Sequence, residues 1–421
     1  FSIQSEHRFG DMIARYLLDD ASGTVGLLLL PASAADRVVP RRPDLRGIPE
    51  IEVLPREGYP PAWRVDPLVH ISLAGEPYAG GFSQGRSLRG GPAARRLGFE
   101  AQAVQEEDES VTVRTHCVDT TNGLNVVHCL KWIRGTDALQ CWTDVTNQGH
   151  ESVTLELVTS FNLGHLTPFA PDDAPGRLRL HRFRSAWSVE GRHEDRPVEE
   201  LELERSWTGS ALRCERFGQV GSMPVRGWFP CAAVEDAGAG VLWGAQLAWS
   251  GSWQIEAARQ DDCLSLSGGL ADREFGHWTR PLAPKETFRT PKAYLTTVAG
   301  TVDDLCHRLV RQQAADAPPS PPVENDLPII FNEWCTSWGT PAEEALLSLA
   351  DRLTDTEARF LVIDAGWYKP AAGRWHQAQG DWIPSDDLFP DGLAATCAAI
   401  RERGLIPGLW FEFETVGPDA D

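Results

Sequence analysis

The 421-residue chain contains no Cys-x-x-Cys pair, although nine cysteines are scattered through it. It also lacks His-Glu-x-x-His and any paired zinc spacing among its eleven histidines, so neither a metal nor any other cofactor is expected. Basic residues are in short supply: 39 Lys and Arg face 60 Asp and Glu, a net charge of −21. That balance excludes nucleic acid and anionic membrane as partners, because both require basic patches. No apolar run approaches the ~20 residues of a membrane span. No signal-peptide pattern opens the chain, whose first residue is Phe1. With its scattered thiols, this opening predicts a reducing, cytoplasmic setting. Cys117, Cys129 and Cys141 recur every twelve residues, but each lies in an alternating pattern ("VTVRTHCV", "LNVVHCLKW", "LQCWTDV") and reads as a buried strand residue.

Tryptophan is plentiful. Sixteen residues exceed ordinary usage, and flat aromatic faces suit the apolar face of a pyranose as well as a protein core.

The chain has two grammars. To about Gly300 it reads as short alternating strands ("SVTVRTHCV", "VTLELVTSFNL", "VEELELERSW", "GVLWGAQLAWS", "TFRTPKAYLTTVAG") separated by turn signals such as Asn122-Gly123. This predicts one large antiparallel β-sandwich. A helix follows at Thr301–Gln313, with Leu305, Leu309 and Val310 at helical spacing. "DAPPSPP" then marks a stiff boundary. The expected organisation is a sandwich domain over 1–315, a Pro-rich linker over 316–327, and a third segment over 328–421.

That segment reads strand–helix–strand–helix–strand. The strands are "LPIIFNEW", "ARFLVIDAGW" and "LIPGLWFEFE"; the helices run from Thr340-Pro341 to about Arg352 and through "DGLAATCAAIRERG" to Gly404. Near-continuous apolar strands with crossover helices predict parallel pairing, the first three β/α units of a (β/α)8 barrel. No phosphate-binding glycine turn follows the first strand, which argues against a dinucleotide fold. The strand ends are polar or aromatic: Asn332-Glu333-Trp334, Asp364, and Trp410 with Glu412 and Glu414. A carboxylate at the mouth of a barrel strand meets ligand rather than core, so Asp364 is the leading candidate. Glu412 and Glu414 fall at i and i+2 on one strand face, while Asp386 and Asp387 are read as solvated loop residues.

The ordered set "NEWCTSW", "FLVIDAGWY", "GDWIPSDDLFPDGL" and "GLIPGLWFEFETV" resembles glycoside hydrolase family 36, the bacterial-type α-galactosidases. "LPREGYPPAWR", "LWGAQLAWSGSWQIE" and "LAPKETFRTPKAYLTTVAGTVDDLCHRLVR" extend the resemblance into the sandwich. It implies a retaining exo-α-glycosidase with an oligosaccharide or glycoside substrate and, in the family, assembly through the sandwich. Trp334 and Trp410 map to aromatic platforms for the sugar, Asp364 to a hydroxyl-gripping carboxylate, and Arg64 to a sandwich-loop arginine near an active site. Trp367, just past the strand, is grouped with them as substrate-binding. Where the family pattern has a second aspartate, this chain has Ala365. That departure leaves galactose, N-acetylgalactosamine and glucose open as the sugar, and hydrolysis and transglycosylation open as the reaction.

The resemblance also implies a nucleophile and an acid/base that are both aspartates on later strands, expected beyond Asp421. The 94 residues from 328 to 421 are far fewer than the ~250 of a complete barrel. The alternative of another class is a carbohydrate-binding protein without catalysis.

Overall fold

The structure, a computed structural model, describes residues 1–40, 64–78, 87–205, 212–223, 227–260 and 262–420. The chain divides into two compact units, Phe1–Ala317 and Pro318–Asp421.

In the first unit β1 (Ser2–Phe9), β2 (Met12–Leu18) and β3 (Val25–Pro31) form an antiparallel meander. There follow β4 (Ile71–Leu73), β5 (Gly98–Glu106), β6 (Ser110–Asp119), β7 (Leu124–Ile133), β8 (Leu139–Asn147), β9 (Val153–Leu166), β10 (Leu178–Arg184) and β11 (His193–Pro197). The remaining strands are β12 (Leu212–Gln219), β13 (Trp228–Asp236), β14 (Val241–Leu247), β15 (Trp253–Gln260), β16 (Cys263–Leu270), β17 (Arg280–Leu282), β18 (Thr287–Arg289) and β19 (Ala293–Ala299). Ten of them form a sheet in the order β11-β10-β13-β14-β19-β8-β7-β6-β5, with β18 also on β8. Six form a second sheet in the order β12-β15-β16-β9-β17, with β4 on β9. Alternate residues of both sheets, including Val126, Leu130, Val145, Phe161, Leu163, Trp243, Ile255 and Leu266, meet in one apolar core, which makes this unit the expected sandwich. Cys117, Cys129 and Cys141 are buried on adjacent strands, and all nine cysteines are free.

Not all of the sandwich is apolar inside. Arg89 is buried and donates to Asp66, Asn162, Ser265 and Ser267. Burial alone would raise the Asp66 carboxyl; Arg89, His70 and Asn162 overcome it and hold the group well below the usual carboxylate range.

Three expectations are corrected here. "VEEL" is a 3-10 turn over Val198–Leu201, not a strand. Pro197 precedes it, and Glu202 adopts φ 57°, its N–H turning back to Glu199 and Val198. The helix after β19, α2 (Val302–Asp316; the short α1 is Pro92–Arg96), buries Leu305, Leu309 and Gln312 against the sheet but leaves Val310 exposed. Thr301 caps it: its Oγ1 accepts from Asp304 N while Asp304 Oδ2 accepts from Thr301 N at 2.9 Å.

The second unit holds a parallel sheet in the order β20 (Ile329–Asn332), β21 (Ala358–Ile363) and β22 (Ile406–Leu409). The first crossover carries the four-residue α3 (Trp334–Ser337) and α4 (Glu343–Leu353), and the second carries α5 (Leu393–Glu402). Leu346, Ala350 and Leu353 of α4 and Leu393 and Ile400 of α5 pack on Leu361 and Ile363 of β21. The third correction lies in α4, which starts at Glu343 and not at Thr340-Pro341. The Glu343 N–H is drawn to Leu388 O at 2.9 Å, and Ala342 is the N-cap. No helix among the described residues is long and apolar enough to cross a membrane.

Candidate functional site

β21 runs through Phe360, Leu361, Val362 and Ile363 into Asp364, at the C-terminal end of the central strand. Only 8% of Asp364 is exposed, and a carboxylate so placed requires partners. Asn332, ending β20, supplies one: its Nδ2 donates to Asp364 Oδ2 at 2.6 Å, and its Oδ1 accepts from Trp334 N at 2.9 Å. The N–H of Ala365 donates to Asp364 Oδ1 at 2.7 Å. The N–H of Asp364 itself donates to Glu333 Oε1 at 3.0 Å. Among the described residues no lysine or arginine ion-pairs with Asp364. An amide and a backbone N–H occupy one lone pair on each oxygen, and each oxygen keeps a second for a ligand.

Glu333 is 1% exposed. Burial pushes its carboxyl above the ordinary glutamate range, against the opposing hydrogen bonds from Ser337 and from the backbone of Asp364.

Trp334 and Trp410 follow the ends of the two outer strands and flank Asp364. The Trp410 N–H still bonds Ile363 O at 3.0 Å, so the ring is held at the strand end. Trp375, from the 366–392 loop, stands edge-on to both, its centroid 5.4 Å from Trp334 (85°) and 6.2 Å from Trp410 (87°). Trp382 adds a further ring 6.2 Å from Trp410.

Two glycines allow this convergence, and they explain the Ala-Gly after Asp364. At Gly366 (φ 102°) a Cβ would lie 2.2 Å from Gly339 O, and at Gly339 (φ 88°) a Cβ would lie 2.6 Å from the Trp375 ring. The loop is tied to the residues after β22 by Gly417 N to Gln379 O (2.8 Å) and Asp419 N to Gln377 O (2.9 Å).

Trp367 lies behind the site. It is 2% exposed, packed on Tyr368, Trp382 and Phe411, and its Nε1 donates to Trp410 O at 3.0 Å. It props the backbone under Trp410 and offers no open face. Arg64 is an exposed residue of the sandwich unit, next to residues 41–63, which fall outside the described residues. β22 ends at Leu409, so Glu412 and Glu414 do not share a strand face: Phe411 and Phe413 stack on each other 5.3 Å apart, and Glu412 Oε2 accepts from Gln379 Nε2 at 3.0 Å. Asp386 and Asp387 are exposed, on the wall of a cleft of about 470 Å³ that Tyr368, Lys369 and Asp419 also line. Asp364 is not on that wall.

Sequence reasoning did not single out Trp375, a loop residue without periodicity. It noted Asn332 and Glu333 only as polar strand ends.

The fold and site define a β-sandwich protein carrying the opening strands of a parallel β/α array, with a carboxylate between aromatic rings at the strand ends. Two family models match: Glycosyl hydrolase family 36 N-terminal domain over residues 84–279 and Melibiase over residues 287–421. The chain belongs to glycoside hydrolase family 36. It is 24% identical over 336 residues to a probable alpha-galactosidase C of Aspergillus terreus, covering 75% of this chain and 41% of that one. It is 22% identical over 325 residues to alpha-galactosidase Mel36A of Lactobacillus acidophilus, with the same coverage. Among solved structures, the α-galactosidases AgaA and AgaB of Geobacillus stearothermophilus each superpose with a TM-score of 0.73 at 18% and 19% identity. They cover 99% of this chain and 57% and 56% of their own, a likeness of fold. The chain thus spans about two-fifths of the length of these curated relatives.

Proposed function

We propose that this chain contributes the sugar-gripping end of a retaining, exo-acting α-glycosidase that hydrolyses terminal non-reducing α-galactosides or closely related α-linked sugars. The observation that carries the reading is Asp364 at the end of the central strand, braced by Asn332 and flanked by Trp334 and Trp410. Variants of the Geobacillus enzyme AgaA have been solved with stachyose and with raffinose, which supports an oligosaccharide substrate.

In this reading Trp334 and Trp410 pack on the apolar faces of one terminal pyranose, and Trp375 closes the gap between them. The open lone pairs of Asp364 accept from ring hydroxyls and orient the anomeric carbon. Two further carboxylates roughly 5–5.5 Å apart perform the double displacement in a retaining enzyme. They belong to parts of the fold beyond these three strands, so the chain described here binds and positions. Ala365 leaves a single carboxylate at the strand end, which relaxes selection at one hydroxyl. N-Acetylgalactosamine and glucose therefore stay in the substrate range, and transfer to a second sugar is the same chemistry with another acceptor. Association through the sandwich and a reducing cytoplasmic setting for the free thiols complete the proposal.

The test is Asp364→Ala in the full-length protein, on a panel of p-nitrophenyl α-glycosides. The expected result is a loss of well over tenfold in kcat/KM with the melting temperature preserved. Unchanged kinetics would remove Asp364 from its role. A wild-type protein that binds sugars but turns over none of the panel would leave the non-catalytic carbohydrate-binding reading in its place.

A further inference from the structure

In a parallel ladder, a residue that donates its N–H to one carbonyl of the neighbouring strand accepts, at its own carbonyl, the N–H two residues further along. Asn332 lies opposite Val362, and Glu333 donates its N–H to Val362 O at 3.1 Å. The ladder therefore calls for the Glu333 carbonyl to accept from Asp364 N. It does not. β20 ends at Asn332 and α3 begins at Trp334, with Glu333 as its N-cap. The Glu333 carbonyl is taken by Thr336 N at 2.7 Å and by Ser337 N at 3.2 Å. That diversion would leave a buried N–H without an acceptor. The Glu333 side chain fills the place: its Oε1 accepts the Asp364 N–H at 3.0 Å.

An acid that is 1% exposed is a costly source of one acceptor. What it secures is the direction of Asp364. That residue is held at three points: its N–H by Glu333, its Oδ2 by Asn332 Nδ2 at 2.6 Å, and its Oδ1 by Ala365 N at 2.7 Å. Two of the three come from adjacent residues at one strand end. The bond from the opposite strand, Trp410 N to Ile363 O at 3.0 Å, falls one residue earlier, and two residues later the chain turns away at Gly366 (φ 102°). Burial raises the Glu333 carboxyl above its ordinary range. A neutral acid still keeps a carbonyl oxygen that accepts, so the contact requires an oxygen at that position and not a charge.

We infer that Glu333 is a positioning residue for Asp364: its carboxyl stands in for the ladder carbonyl lost to α3, holds the Asp364 backbone, and so fixes the angle at which Asp364 meets the sugar hydroxyls. The inference rests on the glycosidase reading and deepens it.

Glu333→Met removes the acceptor at similar volume. In the full-length protein the expected result is about a tenfold loss of kcat/KM on p-nitrophenyl α-galactopyranoside. Glu333→Gln, which keeps an oxygen in place, should recover most of it. In an Asp364→Ala background the same Glu333→Met change should cost less than about twofold, because nothing is left to position. A loss of equal size in both backgrounds would mean general loosening of the unit and would overturn the inference. So would a Glu333→Met enzyme within twofold of wild type, or a Glu333→Gln enzyme no better than Glu333→Met. If Glu333→Met does not fold, Glu333→Asp, one methylene short of Asp364 N, enters the same cycle with the same expectations. Absence of turnover by the wild-type protein would instead sink the glycosidase reading. Calorimetry with free galactose then decides Glu333: binding weakened by Glu333→Met and recovered by Glu333→Gln supports it, and any other pattern, including no binding by the wild type, overturns it.

Discussion

The clearest acid-sensitive element of the sandwich is His128. It lies on β7 opposite Thr143 of β8, 1% exposed, with Nδ1 unpartnered and Nε2 3.2 Å from Cys141 Sγ. Burial pulls its imidazole down to about 4 from an ordinary 6.5. Between those values the unfolded chain binds a proton that the folded chain refuses, so stability falls as pH drops from 6.5 towards 4. The loss from this one side chain is about 2 kcal/mol at pH 5 and about 3 kcal/mol at pH 4. His70 is also pulled down to about 4, by burial and then Arg89, with Asp66 opposing, and contributes in the same sense. Glu256, raised by burial, has the opposite sign: its contribution is present below its unfolded value and lost as pH rises through its folded one. Both groups cancel when wild type is compared with His128→Leu. Because two units need not unfold together, the assay is hydrogen exchange of the β7 and β8 amides, corrected for intrinsic rates. Between pH 7.5 and 5 wild-type protection should fall about thirtyfold more than that of the variant, the equivalent of about 2 kcal/mol. Identical pH dependence in the two proteins would refute a neutral, buried His128.

Two further substitutions test how the units are built. Gly366→Ala places a side chain in the left-handed region and a Cβ 2.2 Å from the Gly339 backbone, so a loss of at least about 2 kcal/mol in the second unit is expected; an unchanged limited-proteolysis profile there would count against the close approach. Thr301→Ala removes the capping box of α2 and should cost about 1 kcal/mol, seen as a lower urea midpoint for the sandwich with no change in the denaturant slope.

The sequence made the alternating strands legible because a sandwich buries every second residue, and Cys117, Cys129 and Cys141 fell on that period. It also made Asp364 legible, since an apolar strand of a parallel sheet has few reasons to end in a carboxylate. It misplaced features whose position depends on distant partners. α4 starts late because Leu388, some 45 residues on, takes the Glu343 N–H. "LIPGLWFEFE" alternates like a strand, but the sheet stops at Leu409, and Phe411 and Phe413 stack on one another rather than continuing the ladder. Trp367 and Trp410 look equivalent as letters; the hydrogen bond from one indole to the other's backbone makes the first a support and the second a platform.

The loop residues were illegible for a further reason. Trp375 is brought beside Trp334 and Trp410 by two glycines 27 residues apart, and only their mutual contact gives either glycine its meaning. Tyr368 is a core aromatic by burial, standing edge-on to Trp367 and Trp382. A side chain's ring can be assigned to the core from pattern, but whether its polar atom is satisfied depends on groups from other elements. Here one such group is Gln379, which donates to Glu412 and also acts on the Tyr368 phenol. The end of the central strand therefore carries one carboxylate braced by an amide. Among the described residues no cation ties it up, so it retains the capacity to bind hydroxyls that a closed salt bridge would have consumed.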